Sequence, residues 1–352
     1  MLWLAIVAGC GGEPAVPMGP VTWAVAGPDQ VMRVGPSDKW PSIAVSPSGK
    51  MLAARTTGGV HVFEADRSKA MLRIPPTREC AGDDCPHNTL AWLDEDRLVV
   101  LTYGSNMRPW YSLWNVRNKE QVSFGDVGGL EVGLYDQGQP WHVALAGAWN
   151  TERVPILIDV ETGRRYAPRV DITGLADDQH PDMQAVSPDG KTLVWADHQG
   201  FVNLSDSIDG SLIKTARVTP STTMKVTQLQ WSPSGESIFG LADKDAVMAF
   251  EPDLTRRFGL NVKHPPKLVH GVDDERVLFW TDVGLFCLNT LNAEVGDGWG
   301  KALGPAAIAS SGDRAWVNIG GQGVIMVDLD AFCPTGQPPA MVEPAGVAPT
   351  SP

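Results

Sequence analysis

The sequence has no cluster of Lys and Arg. Its 28 basic residues are outnumbered by 41 acidic residues, which gives a formal net charge of −13. Attraction to nucleic-acid phosphates or to anionic lipid headgroups requires the opposite balance of charge. We therefore expect no nucleic-acid partner and no electrostatic membrane binding, and the acidity mainly favours solubility.

Helical periodicity is also missing. Apolar residues spaced for one face of a helix continue nowhere for three turns, whereas 37 Gly and 28 Pro interrupt the chain at short intervals. This pattern predicts an all-β chain rich in turns. A closed all-β architecture often reaches this chain's 352 residues as one domain.

Catalytic motifs are equally scarce. There is no Gly-x-Ser-x-Gly elbow, no phosphate loop and no dinucleotide-binding fingerprint. The densest group of potential metal ligands, residues 177–182, lacks the Asp-x-Asp-x-Asp-Gly pattern of a calcium loop, and we interpret it as a solvated acidic loop. The sequence thus predicts no metal site and no cofactor.

The first ten residues form an apolar run that ends in Val-Ala-Gly-Cys. This run, 1–10, resembles the signal segment and lipobox of bacterial lipoproteins. The resemblance implies that Cys10 is acylated and that the chain is cut just before it. Residues 11–20 then read as a flexible tether. By resemblance to the sorting of bacterial lipoproteins, Gly11 in place of Asp implies the periplasmic side of the outer membrane. The alternative is that the run is a buried first strand with an incidental Cys.

Four more cysteines are present. Cys80 and Cys85 flank a polar loop, and their spacing allows a tight disulfide that would persist outside the cytosol. A metal site is the rival interpretation, but these two thiols and His87 fall short of the usual four ligands. Cys287 lies in an apolar run and Cys333 follows the last one, and their pairing is left open.

Repeated strand–turn–strand units define the body of the chain. Aligning them on their first turn places the turn ends at Gly49, Asp96, Gly138, Gly190, Gly235, Glu275 and Asp313. The spacings bracket the period of about 40 to 45 residues expected for four-stranded propeller blades. We predict about seven such units over residues 21–333, followed by a disordered, Pro-rich tail at 334–352.

Three turns carry the strongest repeat signature. They begin at Ser46, Ser187 and Ser232 and read Ser-Pro-Ser-Gly or Ser-Pro-Asp-Gly. In such turns Pro presets one dihedral, Asp or Ser bonds back to the backbone, and Gly takes a positive φ. The signature resembles the Ser-Pro-Asp-Gly-Lys turn of WD40-like bacterial propeller repeats of the TolB type. The resemblance implies a β-propeller and transfers no catalytic residue.

Two further features fit that architecture. The stretch 26–36 resembles the fourth-strand stretch 64–75, so an N-terminal strand is expected to complete the last blade and remove an open sheet edge. Five tryptophans occupy strand positions and are interpreted as packing between blades, namely Trp92, Trp195, Trp231, Trp280 and Trp316.

The predicted partner-binding surface lies over the second to fourth units. Turns there are longer than elsewhere and add Trp and Arg, two residue types that are enriched at interface hot spots. The candidate residues are Arg108, Trp110, Trp149, Arg153, Asp178 and His180. The alternative for Trp110 and Trp149 is that each folds back as an anchor of its own loop.

Together these features predict a lipid-anchored, monomeric envelope propeller that binds a protein or peptide without catalysis. Rigid propellers commonly serve as platforms for loops. The alternative is a propeller enzyme, a lactonase-like hydrolase or a quinoprotein-like oxidoreductase, with its site at the central channel. That enzyme would need carboxylate, His or Asn side chains converging on the axis, whereas the first strands offer mainly Ala, Val, Leu and Ser.

Overall fold

The protein is described here by a computed structural model. It describes residues 21–23, 42–56, 59–64, 70–75, 89–103, 109–126, 131–134, 143–147, 155–159, 165–166, 183–196, 200–207, 211–217, 226–242, 246–299, 306–319 and 323–333. Within these ranges the secondary structure is almost entirely β.

Seven four-stranded antiparallel sheets account for all the strands of the described residues. Sheet 1 contains β2 (Ile43–Val45), β3 (Met51–Thr56), β4 (Gly59–Glu64) and β5 (Ala70–Ile74). Sheet 2 contains β6 (Thr89–Trp92), β7 (Arg97–Tyr103), β8 (Pro109–Asn115) and β9 (Glu120–Asp126). Sheet 3 contains β10 (Glu131–Leu134), β11 (Val143–Gly147), β12 (Pro155–Asp159) and β13 (Arg165–Tyr166). Sheet 4 contains β14 (Met183–Val186), β15 (Thr192–Ala196), β16 (Phe201–Asp206) and β17 (Leu212–Arg217).

The remaining sheets follow the same pattern, with one exception in chain order. Sheet 5 contains β18 (Val226–Trp231), β19 (Ile238–Ala242), β20 (Ala246–Phe250) and β21 (Arg256–Asn261). Sheet 6 contains β22 (Pro266–Gly271), β23 (Arg276–Thr281), β24 (Gly284–Asn289) and β25 (Glu294–Val295). Sheet 7 contains β26 (Ala306–Ser311), β27 (Arg314–Ile319), β28 (Gly323–Asp328) and β1 (Val21–Trp23).

Sheet 7 takes its fourth strand from the other end of the chain. β1 pairs antiparallel with β28, with Val21 opposite Val327 and Trp23 opposite Ile325. The N-terminal strand that reaches this sheet is therefore 21–23, whereas the stretch 26–36 identified in the sequence lies outside the described residues.

The Ser-Pro turns have the predicted geometry. Gly49, Gly190 and Gly235 have φ of +72°, +72° and +83°. The amide of Gly49 donates to the carbonyl of Ser46 at 2.8 Å, and the other two turns repeat this bond. The side chain of the first Ser adds a role that the sequence signature did not suggest: the Ser46 hydroxyl accepts from Met51 N at 3.1 Å.

Sheets 2 and 6 use a different turn at the same place. Asp94 Oδ1 accepts from the amides of Asp96 and Arg97, each at 2.9 Å, and Arg97 Nε donates to Asp94 Oδ2 at 2.6 Å. In sheet 6 Asp273 repeats this arrangement with Arg276. A carboxylate that bonds its own following backbone replaces the Pro and Gly of the Ser-Pro turn.

The two kinds of turn contact each other between neighbouring sheets. Ser48 Oγ of sheet 1 donates to Glu95 Oε2 of sheet 2 at 2.6 Å. Ser232 Oγ of sheet 5 donates to Asp274 Oδ1 of sheet 6, also at 2.6 Å. Ser311 Oγ of sheet 7 donates to the Pro47 carbonyl of sheet 1 at 2.8 Å, so the last turn of the chain contacts the first.

The core lies between the sheets. Five hydrophobic clusters in the described part of the chain each span two successive sheets, and one of them joins sheet 7 to sheet 1. The middle strands β19 and β20 are buried on both faces, which explains why they are continuous apolar runs.

The five strand tryptophans behave as predicted. Each is at most 3% exposed, and the set comprises Trp92, Trp195, Trp231, Trp280 and Trp316. Trp92 Nε1 donates to the Ala44 carbonyl of the preceding sheet at 3.2 Å, and Trp231 Nε1 donates to the Ala185 carbonyl at 3.3 Å. Trp92 and Trp231 therefore join neighbouring sheets by both packing and hydrogen bonding, whereas Trp195 Nε1 donates to Ser205 Oγ of its own sheet at 3.1 Å.

A disulfide resolves the pairing that the sequence left open. Cys287 on β24 is bonded to Cys333, which caps the four-residue helix α1 (Leu329–Phe332) after β28. Both residues are buried, at 0% and 5% exposure. The bond fastens sheet 6 to the end of sheet 7. In the part of the chain that is described, no helix has the length and apolar character needed to cross a membrane.

Candidate functional site

Trp110 is the one predicted partner-binding residue that the structure describes. Arg108, Trp149, Arg153, Asp178 and His180 lie outside the described residues, as do Cys10, Cys80 and Cys85. The predictions made for those residues therefore stay predictions.

Trp110 lies near the start of β8, opposite Thr102 of β7 and Asp126 of β9. Its indole stacks on the ring of Phe124 in β9, with centroids 5.1 Å apart and planes 7° from parallel. Trp110 is half-buried, whereas Phe124 and Val122 are each 53% exposed. We call these three side chains the β9 surface.

The contact of Trp110 bears on its interpretation as a loop anchor, and its role in partner binding stays a prediction. The indole is anchored within its own sheet by the stack on Phe124, as a loop anchor would be. The pair nevertheless leaves more than half of Phe124 open to water, an exposure that is unusual for a large aromatic side chain. The surface is aromatic and apolar, which suits protein or peptide recognition.

A second candidate region is polar and lies on the first strands of sheets 5 to 7. Gln228 of β18 reaches across to β22, where its Oε1 accepts from Val269 N at 2.9 Å and its Nε2 donates to Val269 O at 2.6 Å. The side-chain amide thus bonds the edge of β22 as another strand would, and both backbone groups of Val269 are satisfied.

The next polar residue along β18 continues the contact. Gln230 Oε1 accepts from Gly271 N at 3.2 Å, and its Nε2 lies 3.4 Å from His270 Nδ1. His270 Nε2 lies 2.8 Å from Ser310 Oγ on β26. The chain of contacts Gln230–His270–Ser310, the inner-strand network, links three successive sheets.

The direction of these hydrogen bonds decides what the network can do. Gly271 N–H can only donate, so it fixes Gln230 Oε1 toward itself and leaves the NH₂ group facing His270. Nδ1 of His270 then accepts, the ring proton sits on Nε2, and Nε2–H donates to Ser310. A general base for a serine nucleophile must instead accept the serine proton. The Ser–His pair therefore has the donor direction of a structural bridge.

Burial reinforces this assignment. It lowers the pKa of His270 to about 4, so the imidazole is neutral near pH 7 and can accept at one nitrogen while donating at the other. Protonation would place a second N–H opposite the NH₂ group of Gln230, where two donors would face each other.

Metal-ligating side chains do not converge anywhere in the ranges that the structure covers: no group of three or more His, Cys, Asp or Glu is placed to hold an ion. The acidic loop 177–182 lies outside those ranges. The hydrogen-bond partners of His270 are an amide and a hydroxyl, Gln230 and Ser310, and neither belongs to the His, Cys, Asp and Glu set.

Four-stranded antiparallel sheets in chain order, packed face to face through shared hydrophobic clusters, define a β-propeller fold. The chain is similar to the β-propeller domain of Cps50 (Swd1) from Myceliophteria thermophila, at 13% identity and a TM-score of 0.66, over 88% of this chain and 99% of that one. It is also similar to the computationally designed Ika8 protein, at 12% identity and a TM-score of 0.54, over 79% of this chain and 80% of that one.

No protein-family model matches the sequence, and no curated protein matches it either. At such low identities the likeness to the two solved structures establishes the fold alone.

Two parts of the site were not found from the sequence. Phe124 lies on a fourth strand, Glu-Gln-Val-Ser-Phe-Gly-Asp, whose alternation of apolar and polar residues is a usable strand signal. The contact between Gln230 and His270 left no local signal, because the two residues are 40 positions apart and meet through the packing of two sheets.

Proposed function

We propose that this chain is a lipid-anchored envelope β-propeller that acts as a non-catalytic platform for another envelope protein or a peptide. The mature chain would begin at Cys10 and stand as a monomer on the periplasmic side of the outer membrane. The seven sheets would be the seven blades of one closed ring.

Closure of the ring is supported by contacts between the ends of the chain. β1 belongs to the same sheet as β28, and Ser311 donates to the Pro47 carbonyl of sheet 1. Asn318 Nδ2 also donates to the Ser42 carbonyl at 3.1 Å. Sheet 7 therefore contacts sheet 1 through hydrogen bonds as well as through an apolar cluster.

The envelope location is supported by the disulfide between Cys287 and Cys333. Disulfides with a structural role form and persist in oxidising compartments, which include the bacterial periplasm. A buried bond that joins sheet 6 to the end of sheet 7 is of the structural kind. The lipobox-like run before it in the chain fits the same compartment.

The observation that carries the binding function is the contrast between the two candidate regions. The donors and acceptors of the inner-strand network form hydrogen bonds with neighbouring sheets. The β9 surface, in contrast, contains a stacked aromatic pair in which the ring of Phe124 is exposed to water. Rigid scaffolds with exposed aromatic groups suit recognition of other proteins.

The test is capture of a partner from membranes by the full chain under mild crosslinking. We expect one reproducible envelope protein or peptide with the native chain, recovered from the membrane fraction. Cys10→Ser is the control for the anchor, because it should move the chain to the soluble fraction. The purified variant, when added to membranes, should still capture the same partner. Failure to recover any reproducible partner would contradict the platform function, and unchanged fractionation of Cys10→Ser would contradict the anchor.

The second candidate is a hydrolase that uses Ser310, because His270 lies 2.8 Å from its hydroxyl. The direction of the hydrogen bond speaks against it. A fluorophosphonate probe, which labels activated serines, should leave the native chain and Ser310→Ala equally unlabelled. Labelling that Ser310→Ala abolishes would favour the hydrolase instead.

A further inference from the structure

We propose that the partner docks on β9 as an added strand: an extended segment with apolar side chains at alternate positions and basic residues at its ends. This inference rests on the proposed platform function and names the site and the chemistry of its partner. Recognition of this kind uses backbone pairing for affinity and the alternate side chains for specificity.

The first step is that β9 ends its sheet. In the described part of the chain β8 is the strand that pairs with it, from Trp110 opposite Asp126 to Asn115 opposite Glu120. A terminal strand of this kind is a template for a further strand unless the sequence protects it.

The second step compares β9 with the other outer strands. It is the longest of the seven, with seven residues, whereas β1, β13 and β25 have three, two and two. The other long outer strands, β5, β17 and β21, each contain at least one Lys or Arg, the residues that commonly blunt exposed edges. β9 contains neither Lys, Arg nor Pro.

The third step is the apolar surface that β9 presents. Phe124 stacks on Trp110 and is 53% exposed. Val122 is equally exposed and is the extra residue of a β-bulge, because Ser123 pairs with Leu113 while Gln121 pairs with Trp114. The other long outer strands, β5, β17 and β21, have register shifts of the same kind, so the bulge does not distinguish β9 from them. The two apolar residues are separated by one position, which is the spacing that meets alternate side chains of an added strand.

Charge selects the ends of the partner. The sequence places an acidic residue at each end of β9, Glu120 and Asp126. Glu120 is exposed, and its Oε1 accepts from Asn118 Nδ2 at 3.4 Å. A partner segment with Lys or Arg at its two ends therefore complements the strand, and the net charge of −13 favours its approach.

β17 provides the matched control. Leu212 and Ile213 are each 59% exposed, slightly more than Phe124. The same strand carries Lys214, which donates to Asp253 Oδ2 of sheet 5 at 3.1 Å, and Arg217, whose guanidinium lies over the Phe201 ring. β17 thus exposes large apolar side chains as β9 does, but it also carries two cationic side chains, which would repel a basic segment.

The experiment uses the full chain and a labelled synthetic peptide, Lys-Thr-Val-Thr-Phe-Thr-Lys, with fluorescence anisotropy as the readout, because its Val and Phe lie on the same face as its two Lys residues. We expect saturable binding that Phe124→Lys weakens by about tenfold or more and that Ile213→Lys changes by less than about twofold. N-methylation of alternate peptide amides should abolish binding in one register and preserve it in the other, because an added strand uses every second amide. A peptide with Glu at both ends should bind at least about tenfold more weakly.

Three results would overturn the inference: equal weakening by Phe124→Lys and Ile213→Lys, indifference to N-methylation in both registers, or no saturable peptide binding. Sedimentation of the chain alone gives a fourth. If the native chain self-associates and Phe124→Lys does not, the occupant of β9 is a second copy of the chain. Each of these can occur while the envelope partner is still captured, so the platform function would survive them. Unchanged thermal stability of Phe124→Lys shows that its loss of binding is local.

Discussion

The first strands and the fourth strands of the sheets treat their side chains in opposite ways. On the first strands, Gln228, Gln230 and His270 satisfy backbone and side-chain groups of the next sheet. On the fourth strands, β9 and β17 leave large apolar side chains in water. In the described residues, these first strands bond neighbouring sheets through their polar side chains, whereas these two fourth strands also leave large apolar side chains exposed.

The largest expected effect on the free energy of unfolding comes from replacing a tryptophan packed between two sheets, compared with replacing one near the outer edge of a sheet. Trp92→Ala should lower the free energy of unfolding by about 3 to 5 kcal/mol, because it empties a fully buried site and removes a bond to the preceding sheet. Trp110→Ala should cost less, about 1 to 2 kcal/mol, because the indole is only half-buried, and the lost stack on Phe124 is part of that cost. Urea denaturation measures both. Similar losses in the two variants would contradict the division between inside and edge.

The disulfide is a further covalent link between sheets 6 and 7. Replacing Cys287 and Cys333 together by Ala should lower the free energy of unfolding by about 4 kcal/mol, since the bond closes a loop over a sequence separation of 46. Denaturation of the oxidised native chain, the reduced native chain and the double variant makes the comparison. The expectation fails if native protein from the envelope shows both thiols free by mass spectrometry.

The turns and the buried tryptophans could be predicted from the sequence, because each depends on only a few neighbouring residues. The turns at Ser46, Ser187 and Ser232 were predictable because Pro, a short polar residue and Gly determine the backbone within four residues. The burial of the strand tryptophans was predictable because an indole within an apolar strand removes a large apolar area from water when it is buried.

The rest depends on which sheets meet. The pairing of Cys287 with Cys333, the bond from Ser48 to Glu95 and the contact between Gln230 and His270 each join residues 40 or more positions apart. Their geometry follows from the packing of neighbouring sheets, which no short stretch of sequence encodes. Sheets 2 and 6 replaced the Ser-Pro turn with an Asp–Arg turn, so the repeat signature was weak there although the turn itself was kept.

The inner-strand network should respond to acid. The pKa of His270 is lowered by burial to about 4, whereas an unfolded histidine titrates near 6.5. Between these values the unfolded chain binds more protons, so the free energy of unfolding should fall as pH decreases from about 6.5 to about 4, by about 1 to 3 kcal/mol, and be constant above that window.

His270→Gln should remove this part of the pH dependence. His264→Gln is the matched histidine control, because His264 stacks on Phe286 and is not part of the network. Denaturation curves at pH 7.5 and pH 4.5 give the difference for each variant. A pH dependence that His270→Gln and the native chain share in full would assign the acid sensitivity to other groups.

The smallest effect is expected at the residue most exposed to a partner. Phe124→Thr removes an aromatic ring of which 53% already faces water, and it puts a strong strand former in its place. The lost stack on Trp110 costs about 0.5 to 1 kcal/mol, and Thr keeps a high strand propensity, so the free energy of unfolding should fall by about 1 kcal/mol or less. Val122→Thr, in the same strand and without an aromatic contact among the described pairs, is the matched control and should change still less. Urea denaturation of both variants checks this, and a loss comparable to that of Trp92→Ala would mean that the outer edge supports the fold as the inside does.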